Sequence, residues 1–110
     1  MKVWLDDQID DPSAPARHPP EGWVGVRSAV EACRLLRRQA VTHISLDHDL
    51  SEGKPTGYLV ARFIESQAYR GRLRPLEWSI HSANPVGAAR MVLALQGASR
   101  FWEEPRNLPL

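Results

Sequence analysis

The side chains in this sequence that could do acid–base or metal chemistry gather in three short stretches: Asp6-Asp7, Asp47-His48-Asp49 and His81-Ser82-Ala83-Asn84. All six aspartates lie either between Asp6 and Asp11 or between Asp47 and Asp49. Carboxylates brought together repel one another at neutral pH, and each raises its neighbour's pKa. A divalent cation removes that cost, and hard oxygen donors suit Mg²⁺ or Mn²⁺. Asp6, Asp7, Asp47 and Asp49 are therefore the candidate metal ligands. An acidic pair alone often does no more than cap a turn, so a metal site requires the two acidic stretches to converge. Imidazole titrates near neutrality, and two rings flanking a phosphate could divide the work of general base and general acid. His48 and His81, with Asp47, are the catalytic candidates; the alternative for each ring is a structural or metal-ligand role. His18 and His43 read as surface or packing positions. Ser82 and Asn84 stand just before Pro85, where a helix start would offer free N–H groups to an anion, and they are the candidate phosphate-binding residues. Asn84 caps that helix in either case. Ser82 has no general base beside it in sequence, so it is not a nucleophile candidate.

These residues must be positioned by regular elements. Lys2-Val3-Trp4-Leu5 alternates polar and apolar residues and predicts a strand that ends at Asp6-Asp7. Residues 8–22 hold Pro12, Pro15, Pro19, Pro20 and Gly22 and predict a long loop. A short strand over Trp23–Val26 follows. Ser28 then caps a helix through about Gln39, with Val30, Cys33 and Leu36 facing inward. His43–Asp47 is a strand, and 51–56 a polar loop. Thr56 caps a helix over 57–68 whose buried stripe is Leu59, Val60, Phe63 and Ile64. Leu76–Ser82 is a strand. Asn84, Pro85 and Gly97 bracket a helix through Gln96, and a last short strand is expected over Arg100–Glu103.

Strands alternating with helices predict a parallel α/β sheet of four or five strands. Strands covered on both faces should be continuously apolar, and these are not. Val3, Leu5, Ile44, Leu46, Trp78 and Ile80 share one parity, while Lys2, Trp4, Asp6, His43, Ser45, Asp47, Glu77, Ser79 and His81 take the other. Three helices can cover one face. The second face is then left to the Pro-rich loop, the C-terminal tail or a second subunit, and Trp4 on that face points to a homodimer. In such open sheets ligands bind beyond the C-terminal strand ends, which is where the three polar stretches fall.

Composition narrows the function classes. A chain of 110 residues, 43% hydrophobic and 25% charged, suits a single soluble domain over residues 1–110. Its apolar runs are too short to span a bilayer, and its start does not read as a secretion signal. The lone Cys33 excludes an internal disulfide and a multi-cysteine zinc site. A small, complete cytoplasmic protein is expected. The net charge of +1 gives no bulk attraction to nucleic acid. Arginine nevertheless outnumbers lysine twelve to two, which suits either a solvated surface or a phosphate-rich partner.

Strand-Asp6-Asp7, strand-Asp47…Gly57 and strand-Ser82-Ala83 together resemble the receiver domain of response regulators. The combination Trp4-Leu5-Asp6-Asp7, Ser45-Leu46-Asp47-His48-Asp49-Leu50, Thr56-Gly57-Tyr58 and His81-Ser82-Ala83-Asn84-Pro85-Val86-Gly87 is closer still to a divergent receiver-like family, the cyclic-phosphate processing receiver domains. The resemblance covers residues 2 to about 92. It implies a flavodoxin-like sheet and a metal held by the acidic residues. It also implies the family's link to RNA repair and to 2′,3′-cyclic phosphate ends.

The chain departs from true receivers in three ways. It lacks the lysine at the end of the fifth strand, since Lys2 and Lys54 are its only lysines. A Pro-rich loop stands where receivers have their first helix, and Pro105 to Leu110 where they have their last. Either Asp47, at the predicted strand end, or Asp49, with the receiver-like spacing to Gly57, could match the phosphoacceptor. The function expected is phosphoesterase-like processing of cyclic or terminal phosphates on a nucleotide or RNA end. The alternative is a non-catalytic receiver-like module for protein interaction or dimerisation. A phosphoaccepting switch is a third reading, which the missing lysine disfavours.

Overall fold

Four short strands pair in parallel to form one sheet: β1 (Lys2–Leu5), β2 (Trp23–Val26), β3 (His43–Leu46) and β4 (Glu77–Ile80), in the order β2-β1-β3-β4. The computed structural model describes residues 1–104. Among these residues the three α-helices are α1 (Ala29–Arg37), α2 (Gly57–Tyr69) and α3 (Pro85–Glu103). This is the α/β, receiver-like arrangement expected from the sequence, with four strands.

The strand order dictates which face each connection covers. The chain steps one way from β1 to β2, then reverses across β1 to reach β3 and β4. Parallel crossovers are right-handed, so the reversal puts the first connection on one face and the later ones on the other. α1 and α2 accordingly pack on the face of Val3, Leu5, Ile44 and Leu46, all of which are buried in one core with Leu36, Val60, Ile64, Met91 and Leu95. α3 lies along α2, where Ala61, Ala68, Ala94, Gly97 and Ala98 are small enough to let the two helices approach closely. Each helix begins on its expected cap. Ser28 accepts a hydrogen bond from the Glu31 N–H, Thr56 from Tyr58 and Asn84 from Gly87.

The opposite face carries the first connection. Its one helical piece is a single 3-10 turn at Pro15–Arg17, in the place of a receiver's first helix. A Cβ on Gly25 would sit 3.0 Å from Ile9 and 3.3 Å from Pro19, so the loop lies directly on β2. The Trp4 indole N–H donates to the Arg17 carbonyl at 2.9 Å, which fastens the loop over β1. Beyond this cover Glu77 and Ser79 of β4 are exposed, so the second face is partly bare. The C-terminal tail, the other expected cover, lies outside the described residues.

Two parts of the sequence reading need correction. The strand expected over Arg100–Glu103 is the end of α3, which runs through Gly97 instead of stopping there. Gly97 is a point of close approach, since a Cβ there would come within 2.6 Å of the Glu65 carboxylate on α2. The last turns are held by the core beneath Phe101 and Trp102, and the Trp102 indole N–H donates to the Leu73 carbonyl at 2.9 Å. Val30 and Leu59, expected inside, are exposed. α1 buries Ala29, Ala32, Cys33 and Leu36, and α2 buries Val60, Ala61, Ile64 and Ala68, so the true stripes are centred one residue away.

Candidate functional site

Leu5, Leu46 and Ile80 are in register across β1, β3 and β4. The residues that follow, Asp6, Asp47 and His81, continue this line. The Asp47 N–H donates to Leu5 and that of His81 to Leu46, each at 3.0 Å. The shared register delivers two acids and an imidazole to one rim, at the switch point between β1 and β3 where open α/β sheets bind ligands. Asp6 is fully buried and Asp47 only 3% exposed. Asp7 joins them, and one carboxylate oxygen from each of Asp6, Asp7 and Asp47 lies within 4.8 Å of the others.

Buried carboxylates require partners, and each here has one. Asp6 Oδ1 accepts from the Gln8 N–H at 2.9 Å. Asp6 Oδ2 meets His81 Nε2 at 3.2 Å and Arg17 Nη1 at 3.3 Å. The same Arg17 nitrogen lies 3.1 Å from Asp47 Oδ2. His81 is further fixed by Ser45, whose hydroxyl is 2.7 Å from Nδ1, and by Trp4, whose ring stacks on the imidazole at 3.7 Å between centroids. Burial pushes the Asp47 carboxyl above its ordinary value; the Asp6 charge adds to this and Arg17 opposes it. Burial pushes His81 below the ordinary imidazole value; Asp6 opposes the shift and Arg17 adds to it.

The other candidates form a second hydrogen-bonded set. His48 Nδ1 is 2.8 Å from Asp49 Oδ1, which also accepts from Asn84 Nδ2 at 3.2 Å. These two bonds hold the Asp49 carboxyl below the ordinary range. The His48 ring lies against Gly87 in the first turn of α3, so closely that any Cβ there would collide with it. Asn84 also caps α3 through Oδ1, and the Ser82 hydroxyl accepts from the Asn84 N–H at 3.1 Å. Asp49, grouped with the other acids in the sequence, stands outside the three-carboxylate cluster, with its side chain 65% exposed. His18 bonds the Asp11 carbonyl, while His43 pairs with Glu77 across neighbouring strands.

Sequence reasoning missed Arg17 and Ser45. Arg17 is the only arginine or lysine between β1 and β2, and the handedness of the crossover places that segment over the acidic face. Ser45 shares the parity of Asp47 and neighbours His81 in the sheet. Both signals were available.

The cluster fits a divalent cation. It offers only oxygen donors, from two strand ends, with three negative charges against one guanidinium. Mg²⁺ or Mn²⁺ held by Asp6, Asp7 and Asp47 would neutralise phosphate charge and acidify bound water.

A parallel 2-1-3-4 sheet with an acidic rim at its switch point defines the chain as a receiver-like domain. More particularly, the cyclic-phosphate processing receiver domain family matches residues 1–97, and the chain belongs to that family. No curated protein and no solved structure matches it significantly.

Proposed function

We propose that the acidic rim is a phosphoesterase site acting on the 2′,3′-cyclic or terminal phosphate of a nucleotide or RNA end. The observation that carries this reading is the bond from His81 to Asp6 within a three-carboxylate cluster, joining residues 75 positions apart. In ring opening a water oxygen attacks phosphorus, one phosphorus–ribose oxygen bond breaks, and the water's proton ends on the departing oxygen. His81, whose pKa burial lowers, exchanges a proton at Nε2, on the carboxylate side. The Ser45 hydroxyl can donate or accept, so it anchors Nδ1 in either tautomer. His48, oriented by Asp49, is the second proton carrier, and Ser82 with the first turn of α3 receives phosphate oxygens.

The test is turnover of 2′,3′-cyclic nucleotides and cyclic-ended RNA in Mg²⁺, Mn²⁺ and chelator. Metal-dependent turnover is expected, with His81→Ala and His48→Ala each slower by about 10²- to 10⁴-fold. Rates unchanged in both variants would overturn the mechanism. No turnover on any cyclic or terminal phosphate would favour a binding module instead.

A further inference from the structure

We propose that Arg17 is a phosphate-binding residue of this site, parked on Asp6 and Asp47 until a divalent cation takes its place on those carboxylates. The inference rests on the phosphoesterase reading above and adds a residue to it.

Four observations lead to it. The Arg17 guanidinium uses one nitrogen to bridge the two most deeply buried acids, at 3.3 and 3.1 Å. Those are two of the three carboxylates whose oxygens are grouped closely enough for a metal, so Arg17 and a cation compete for the same two carboxylates. Arg17 is also the member of the network best able to move. Its side chain is 25% exposed, against 0% and 4% for its partners, and it comes from a single 3-10 turn, whereas Asp6, Asp47 and His81 extend strands. Finally, its backbone stays tethered at the rim while the side chain moves, because the Trp4 indole holds the Arg17 carbonyl.

Charge decides the direction of the exchange. Three carboxylates and one guanidinium leave the metal-free pocket at −2, which repels phosphate. A divalent cation takes the carboxylates themselves from −3 to −1, which weakens their hold on Arg17, and with Arg17 counted the sum is zero. The freed guanidinium has a planar fork that matches two phosphate oxygens. Metal loading therefore does two things: it supplies a cation, and it presents an arginine that was masked.

The experiment is calorimetric titration of metal-free protein with Mg²⁺, then of Mg²⁺-saturated protein with inorganic phosphate, for wild type, Arg17→Met and Arg17→Lys. Arg17→Met is expected to bind Mg²⁺ several-fold tighter, having lost the competitor, and phosphate at least 10-fold more weakly. Arg17→Lys, with charge but no fork, should fall between for phosphate and stay near wild type for Mg²⁺. A purely structural arginine would weaken both ligands together in the Met variant, and that result overturns the proposal. So does unchanged phosphate affinity in a variant that still binds Mg²⁺. If the Met variant fails to fold, Arg17→Lys decides through the same pair of affinities. Wild type binding no Mg²⁺ at all would instead remove the metal reading of the pocket, and the exchange with it.

Discussion

His81 shows at the scale of a residue how the pocket tunes its own chemistry. Stacked under Trp4 and bonded to Ser45 and Asp6, it loses water and favours its neutral form. Its pKa is set by burial working against the Asp6 charge, which gives a signed prediction. In metal-free buffer, imidazole NMR titration should place His81 below 6.5, its ordinary value, and Asp6→Asn should lower it further by removing the opposing charge. A rise in the variant would contradict this electrostatic account. The same shift links to stability. A histidine whose folded pKa is depressed contributes fully above the unfolded value and loses that contribution as pH falls through it toward the folded one. Asp47, raised by burial, acts in the opposite sense: its contribution is present below 3.8 and fades as pH rises through its higher folded value. Asp6, Asp47 and His81 were legible in the sequence because strand parity and strand ends fix them. Parity no longer applies to Asp49, because the chain has left the sheet after Leu46.

Glycines at the scale of elements show where helices press on the site and where they merely pass. A Cβ on Gly57, the first residue of α2, would collide with the backbone carbonyl of Asp47, which has nowhere to retreat. Gly57→Ala should cost about 3 kcal/mol in urea unfolding, near the top of the usual range for overpacking, and should disturb Asp47 directly. Gly97→Ala meets only the flexible end of Glu65, and alanine gains about 1 kcal/mol of helix propensity. The two effects should nearly cancel, leaving stability within about 0.5 kcal/mol of wild type. Equal losses in both variants would contradict this distinction. The same glycine explains the misread end of α3: in sequence, a glycine at a helix crossing looks like one that terminates a helix. The caps at Ser28, Thr56 and Asn84 were readable because a capping side chain acts within three residues of itself.

At the scale of the whole molecule, the two faces of the sheet do different work. The helical face holds the core, where Leu95→Ala should cost about 2–5 kcal/mol. It also bears a hollow of about 850 Å³ between α1 and α2, lined by Val30, Cys33, Leu59 and Phe63 among others and by none of the three carboxylates. The other face, under the Pro-rich loop, leads up to the acidic rim. Trp4, whose apolar surface suggested a second subunit from the sequence, spends its contacts on His81, Trp23 and the Arg17 carbonyl. The strip left open on β4 is polar, so sedimentation equilibrium at micromolar concentration should give the monomer mass; a mass rising with concentration would instead support the homodimer. No described helix is long and apolar enough to cross a membrane. Side chains from separate strand ends would make one cation site, and Mn²⁺ binding followed by electron paramagnetic resonance tests this most directly. Wild type should bind one ion per chain that Mg²⁺ displaces, and Asp6→Asn with Asp47→Asn should weaken it by well over 10-fold. Mn²⁺ affinity equal in wild type and the double variant would contradict the account.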